Sequence, residues 1–77
     1  MNFPDVYQFA KGDKELIKVL GTDADEIAVD VDYLTFSPNK EVYVQKVIAN
    51  GTDIKPMLSD RTIHYFTNRI EEFLRNE

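Results

Sequence analysis

The sequence predicts an α+β fold for one small globular domain over residues 1–77. Three observations predict this class. The middle of the chain alternates apolar and polar residues, as in a strand with one buried face. The last quarter spaces its apolar residues at helical intervals behind a serine that can cap a helix. The beginning is also spaced as a helix, so helices and an antiparallel sheet are expected to share one core.

The N-terminal third is expected to be helical. Phe3, Val6, Tyr7 and Ala10 follow the i, i+3, i+4, i+7 spacing of a helix face. Pro4 is tolerable there because a first helical turn needs no N–H from it. These residues therefore predict a first short helix.

A second helical segment is expected over residues 14–20, KELIKVL. Asp13 can cap its start, and Gly21 can close its end in the left-handed conformation. A single helix kinked near Gly12 is the alternative. The apolar face of this segment holds Leu16, Ile17 and Leu20.

The clearest feature is a β-hairpin formed by residues 26–36 and 41–49 around the turn SPNK. Both segments alternate apolar and polar residues. We expect a register that brings the alternating apolar rows of the two strands onto one face. Its pairs are Phe36–Glu41, Tyr33–Val44, Asp32–Gln45, Asp30–Val47 and Val29–Ile48.

A short third strand can follow the hairpin. Asn50-Gly51 is a tight-turn signal that can reverse the chain into Thr52 to Lys55. Pro56 would end this strand or confine it to a sheet edge. The antiparallel sheet is therefore expected to have two or three strands.

A C-terminal amphipathic helix is expected over residues 60–75. Ser59 is its N-cap, and Leu58 and Ile63 are spaced as a hydrophobic staple around it. An apolar stripe within about 100° of arc should lie on the sheet. The stripe contains Ile63, Phe66, Ile70, Phe73 and Leu74.

Composition excludes several classes of protein. The 77 residues contain no cysteine, so disulfides and thiolate sites are absent. No apolar run reaches the roughly 18–20 residues of a membrane span, and no signal pattern opens the chain. We expect a cytoplasmic protein, and the start at Met1 favours a complete reading frame.

The net charge of −5 is concentrated in one stretch. Residues 21–36 hold five acids and no base. These acids are Asp23, Asp25, Glu26, Asp30 and Asp32.

The acids do not match a metal motif. Asp23 and Asp25 fit the first two ligand positions of a calcium loop, but apolar residues stand where the next ligand and the glycine belong. Asp30 and Asp32 share a strand face, roughly 7 Å apart, without a third oxygen ligand. The sequence therefore predicts no metal site and no cofactor, and the wet face of a strand is the plainer explanation.

The same outer strand face changes character along its length. Asp30 and Asp32 form an anionic end, and Leu34 and Phe36 begin an apolar end. Tyr43 and Val47 are expected opposite the apolar end. Either the N-terminal helices cover these side chains, or they form an exposed patch that marks a partner site. In the second case the partner-binding residues are Asp30, Asp32, Leu34, Phe36 and Tyr43.

Catalytic residues are not predicted. His64 stands at the border of the last helix's apolar stripe, without a nucleophile assigned to it. Ser59 and Ser37 are explained as cap and turn residues. The scattered glycines form no phosphate loop, so no small-molecule substrate is evident.

Tyr65 forms a second candidate contact surface. It lies nearly opposite the apolar stripe, between Arg61 and Arg69. Tyrosine and arginine are typical of interface hot spots. Alternatively, an arginine stem simply packs on the ring.

A nucleic-acid surface is the alternative candidate. Lys11, Lys14 and Lys18 fall on one helical face, and two short helices joined at a glycine have the form of a helix-turn-helix. Three lysines give a weak electrostatic footprint on an acidic chain. A solvated helix face is the plainer explanation.

The segment VYVQKVIANGTDIKPMLSDRTIHYFTNRIEEFL, residues 42–74, resembles a pattern in short proteins of bacteriophages and prophages. The pattern is a hairpin strand, a Gly-containing turn, Asp-Ile, a Leu-Ser helix start and a terminal amphipathic helix. The resemblance implies a strand–turn–helix and carries over no active site. Such small acidic proteins often act as adaptors or inhibitors, some by imitating DNA's charge.

These observations favour a non-enzymatic protein–protein interaction module of the phage adaptor or inhibitor type. A homodimer would hide the apolar end of the outer face. A DNA mimic would use the five acids, although binding through backbone charge grows with the number of phosphates replaced, and five are few. The alternative is a small nucleic-acid-binding module using the three lysines.

Overall fold

A computed structural model describes residues 2–8 and 14–76 as one antiparallel sheet with helices on one side. The strand order is β1-β2-β3-β4. The α+β class is confirmed, with four strands instead of two or three. The elements are β1 (Asn2–Gln8), α1 (Lys14–Leu20), β2 (Glu26–Phe36), β3 (Glu41–Ala49), β4 (Thr52–Asp53), a 3-10 turn (Lys55–Met57) and α2 (Asp60–Arg75).

The first predicted helix is wrong for residues 2–8, which form the edge strand β1. Phe3 and Tyr7 also fit a period of two, so the segment's spacing is compatible with either structure. Without β1, the N–H and C=O groups along one side of β2 would lack partners, and strand pairing supplies them. The paired residues include Phe3–Val31, Asp5–Val29 and Tyr7–Ile27. Ala10, from the predicted helix face, lies outside the described residues.

The outer edge of β1 is blunted. Pro4 pairs with Asp30 and has no N–H to offer. The Val6 N–H, two residues on, donates to the Asp5 Oδ1 at 2.8 Å. Because the outward donors in the middle of this edge are missing or used, a further strand has little to pair with here.

Helix α1 forms where the second helical segment was predicted. Leu16 and Leu20 are buried in the core. Gly21 has a φ of +70°, and its N–H donates to the carbonyl four residues back at 2.8 Å. The Asn50 amide donates to the Leu20 carbonyl at 3.1 Å, which fixes the helix end to the β3–β4 turn. The expected cap and glycine before α1 fall in residues 9–13, outside the described part.

The hairpin of β2 and β3 has the predicted bounds, but its register changes midway. A β-bulge between Asp32 and Tyr33 of β2 leaves Gln45 as the extra residue of β3. The pairs near the turn, Phe36–Glu41 and Tyr33–Val44, are as predicted. Beyond the bulge they become Asp32–Lys46, Val31–Val47 and Asp30–Ile48.

Beyond the bulge, this change of register reverses which side chains of β3 face the core. Val47, predicted on the outer face, is fully buried at 0% exposure, and Ile48 is only half-buried. The bulge lets β3 place Val44 and Val47 in the same core although they are three residues apart. It also places Lys46 on the outer face, opposite Asp32, whereas the predicted register would have pointed this charged side chain into the core.

Strand β4 is shorter than predicted. Asn50-Gly51 makes the expected turn, with positive φ at both residues. The Asp53 Oδ1 accepts hydrogen bonds from the Lys55 N–H at 3.0 Å and the Val47 N–H at 3.2 Å. This side chain bends the chain out of the sheet, and the 3-10 turn begins where the strand was expected to continue.

Helix α2 has the predicted bounds and closes the core. Ser59 caps it, since its Oγ accepts from the Thr62 N–H at 3.3 Å. Phe66 and Ile70 are completely buried against the sheet. The largest fully buried side chains are Tyr33, Phe66, Ile54, Ile70, Val31 and Val47.

Candidate functional site on the outer face of the sheet

The sheet has one covered face and one open face. Leu16 of α1 and Phe66 of α2 belong to the same core cluster as Val29 of β2, so both helices lie on one side. We call the opposite side the outer face. No described helix covers it: of the two N-terminal segments that could have done so, the first lies in the sheet as β1 and the second, α1, packs on the other side. Of the two possibilities that the sequence left open, exposure is the one observed.

Three large side chains form what we call the hairpin-end patch: Leu34, Phe36 and Tyr43. Their exposed fractions are 43%, 52% and 52%. The rings of Phe36 and Tyr43 meet edge to face, with centroids 5.2 Å apart and planes at 84°. With Leu34 opposite Tyr43 in the register, the three side chains form one contiguous apolar surface. Val47, which sequence reasoning added to it, lies in the core.

The position of the patch follows from the lengths of the strands. β1 pairs with β2 only as far as Asn2–Asp32, so the last four residues of β2 extend beyond it. On the covered face of this extension, Tyr33 is 2% exposed. The hairpin end is thus two strands wide, covered on one face only.

Tyr43 is tied to a neighbouring acid. Its hydroxyl donates to the Glu41 Oε2 at 2.9 Å. This hydrogen bond, together with the negative charge of Glu41, raises the pKa of Tyr43 above its ordinary value. The hydrogen bond links two exposed side chains that lie two residues apart on the outer face of β3.

The anionic end of the outer face is less anionic than the sequence indicated. Asp30 is exposed and Asp32 half-buried. Lys46 lies opposite Asp32, where Gln45 was expected, so a cation interrupts the acids. Glu26 is engaged too, accepting from the Gln8 amide at 2.7 Å. Among the described residues, no three His, Cys, Asp or Glu side chains are close enough together to hold a metal ion.

The two arginines near Tyr65, Arg61 and Arg69, make different contacts. Arg69 stacks on the Tyr65 ring at 5.5 Å and also contacts Asp5 of β1, with Nε 2.6 Å from Oδ2. Burial lowers and the Asp5 charge raises the pKa of Arg69, and the net change is upward. Because the Asp5 side chain is only 6% exposed, this ion pair mainly fastens β1 to α2.

Arg61 instead lines an open cleft of about 290 Å³. The Tyr7 hydroxyl lies 3.3 Å from the Thr62 Oγ1 on the cleft wall. Among the described residues, the cleft is lined by Tyr7, Gln8, Arg61, Thr62 and Tyr65. Sequence reasoning missed Tyr7 and Asp5 because it placed both on a helix; the alternation of Phe3, Asp5 and Tyr7 was the available signal.

The lysine ridge is only partly described. Lys14 and Lys18 are exposed on α1, and Lys11 lies outside the described residues. The helix-turn-helix interpretation is wrong, because a strand occupies the place of its first helix. His64 is exposed on α2. Within the described residues, neither helix combines the length and apolar character needed to cross a bilayer.

Comparison of the chain with protein-family models, curated proteins and solved structures finds no match.

Proposed function

We propose that this protein is a non-enzymatic protein–protein interaction module that binds through the hairpin-end patch. The observation that carries the proposal is the exposure of Leu34, Phe36 and Tyr43 together on a face that no described element covers. Isolated apolar residues are common on surfaces, whereas a contiguous ordered group of them is typical of a binding site.

The composition of the patch supports this function. Two aromatic rings supply a large contact area with few rotatable bonds, which is the usual character of an interface anchor. Charged residues flank them in the strand register: Glu41 is opposite Phe36, and the Asp32–Lys46 pair lies on the other side of Leu34 and Tyr43. An apolar centre inside a polar rim is the general anatomy of a protein interface.

The charge of the chain favours a role as an adaptor or inhibitor. A net charge of −5 would speed the approach of a basic partner. The resemblance of residues 42–74 to short phage and prophage proteins supports the same class of role. Imitation of DNA is a weaker version, because Lys46 interrupts the acidic row and few acids are available.

Recovery of a partner from a cytosolic extract of the source cells tests the proposal. Phe36→Ser and Tyr43→Ser should each lose the recovered protein, because each removes an anchor from the patch. Val6→Ser is the matched control. Val6 is 49% exposed and lies on the outer face like the patch, but on β1, away from the hairpin end. Tyr65→Ala tests the second surface.

Equal recovery by wild type and both patch variants would contradict the proposal. Loss in Tyr65→Ala with retention in the patch variants would move the site to α2. The nucleic-acid alternative is tested by a gel shift at low salt with Lys14→Gln and Lys18→Gln, and the absence of any shift in the wild type would exclude it.

A further inference from the structure

We infer that the cleft between the end of β1 and the first turn of α2 binds a side-chain carboxylate of an acidic peptide segment. This site goes beyond the proposed function, because a separate set of residues forms it. The cleft lies at the opposite end of the sheet from the hairpin-end patch. Its lining residue Gln8 pairs with Glu26 at the start of β2, about 33 Å along that strand from Phe36.

The charge of the cleft favours an anion. Arg61 is the single charged residue in its described lining, and within the described chain no carboxylate forms an ion pair with this guanidinium. One helical turn further along α2 stand His64 and Tyr65, so no acid follows Arg61 at the spacing where helical side chains meet. Asp60, the preceding residue, is rotated from it by about 100° around the helix axis.

The other two arginines of α2 have acids within reach. Arg69 contacts Asp5 of β1. Arg75 follows two glutamates by three and four residues, which is the spacing of helical ion pairs. Arg61 is therefore the arginine of this helix whose charge remains available for a ligand.

The net charge of −5 does not prevent an anion from binding here. Charges farther away than about 8 Å are screened at physiological salt, so nearby groups decide. Asp5 is neutralised by its contact with Arg69. Glu26, which accepts from the Gln8 amide at 2.7 Å, belongs to the outer face of the sheet, whereas α2 packs on the covered face.

The walls of the cleft are positioned by contacts within the chain. The Tyr7 ring lies 5.6 Å from the Phe66 ring, and its hydroxyl lies 3.3 Å from the Thr62 Oγ1. The Tyr65 ring meets the other side of this cluster, with its centroid 5.4 Å from that of Phe66. Because these side chains are held before a ligand arrives, binding needs to order few further groups.

The binding group is the arginine side chain and not the end of the helix. The N–H groups of Thr62 and Ile63 in the first turn of α2 already donate to the Oγ and the carbonyl of Ser59. They are therefore used inside the helix cap, and the guanidinium of Arg61 is the charged donor that the cleft offers.

Size and geometry select the side chain of an acidic residue. The cleft holds about 290 Å³, at the lower limit of the roughly 300–1,000 Å³ of small-molecule sites, so it suits a single side chain better than a cofactor. A planar guanidinium matches a carboxylate through two parallel hydrogen bonds. Terminal carboxylates are usually captured by nests of backbone N–H groups, and phosphates carry more charge than one cation balances.

A titration followed by nuclear magnetic resonance tests the inference. The probe is an eight-residue peptide of alanine and serine with one central glutamate and both ends blocked, so its side chain is its only carboxylate. At constant ionic strength it should shift the amide resonances of Thr62 and Tyr65 and saturate in the millimolar range. The same peptide with glutamine in place of glutamate should cause no saturable shift.

Two variants of α2 locate the site. Arg61→Gln should weaken binding of the glutamate peptide at least about tenfold, because it removes both the charge and the paired donors. Arg75→Gln is the matched control, since it makes the same change at an exposed arginine about 21 Å further along the helix, and it should leave binding unchanged. Circular dichroism checks that both variants are folded.

The absence of a saturable shift with the glutamate peptide would overturn the inference, as would equal weakening by Arg61→Gln and Arg75→Gln. Tighter binding of inorganic phosphate, or of the glutamine peptide with a free C-terminal carboxylate, would overturn the assignment to an acidic side chain. The proposed function fails separately. Phe36→Ser should bind the glutamate peptide as the wild type does, whatever it recovers from the extract.

Discussion

Both faces of the β2–β3 hairpin carry large apolar side chains, but those on one face are buried and those on the other are exposed. On the covered face, Val31 and Tyr33 are 0% and 2% exposed in the core that they share with residues of both helices. On the outer face, Leu34 and Phe36 of the same strand are 43% and 52% exposed. Apolarity alone therefore did not decide burial; the presence of a second layer did.

This difference follows from the size of the chain. Seventy-seven residues supply two short helices and one sheet, which is enough to cover a single sheet face. Most of the uncovered face is polar or small, as expected for water contact, and the hairpin end is the exception. A surface of that kind is costly for a free monomer and useful for a complex.

The largest effect is expected from truncating the covered face. Phe66→Ala should lower the free energy of unfolding by about 3–5 kcal/mol, because a fully buried ring is replaced by a cavity. Phe36→Ala, on the outer face, should change it by less than about 1 kcal/mol. Urea denaturation of both variants measures the difference.

Such a loss could unfold a domain this small, so Ile70→Val provides a gentler measure of the covered face. It should lower the free energy of unfolding by about 0.5–1.5 kcal/mol. If Phe36→Ala were as damaging as Phe66→Ala, the proposed contrast between the faces would be wrong.

The bulge gives the next largest effect. Val47→Asn should destabilise the protein by about 3 kcal/mol, since it puts an amide into the core, while Ile48→Asn should cost about 1 kcal/mol. A register without the bulge predicts the reverse order. Thermal denaturation of the two neighbouring variants distinguishes the registers.

A smaller effect is expected from the contact that holds β1 to α2. Asp5→Asn should lower stability by about 1 kcal/mol, because the pair with Arg69 is half-exposed on the arginine side and partly screened by water. A double-mutant cycle with Arg69→Gln measures the coupling. Additive losses would mean that the two side chains do not interact in solution.

The smallest effect concerns Tyr43. Because its pKa is raised above the ordinary 10.0, the stabilisation from its hydrogen bond is complete below pH 10.0 and is lost as the pH rises through the raised value. Glu41→Ala should lower the pKa of Tyr43 towards 10.0, and Glu41→Gln separates charge from hydrogen bonding. Ultraviolet titration, with Tyr43→Phe as the reference, follows the phenol; an unchanged pKa in Glu41→Ala would contradict the assigned cause.

Much of the fold was predictable because its signals are local. The bounds of the hairpin, of α1 and of α2 follow from periodicity, and Ser59 and Asn50-Gly51 specify a cap and a turn within a few residues of themselves. The candidate site was predictable in part for the same reason. Alternation along β2 placed Leu34 and Phe36 on one face, opposite the core-forming row.

Sequence alone therefore determined which segments become strands and helices in the middle and at the end of the chain, and which residues of β2 share a face. Only the tertiary structure decided that residues 2–8 are a strand, that Gln45 bulges and Val47 is buried, and that Asp5 meets Arg69. It also decided that nothing in the described chain covers the hairpin end. The physical reason is common to all of these: each depends on pairing or covering between segments distant in sequence, where local propensities permit more than one outcome.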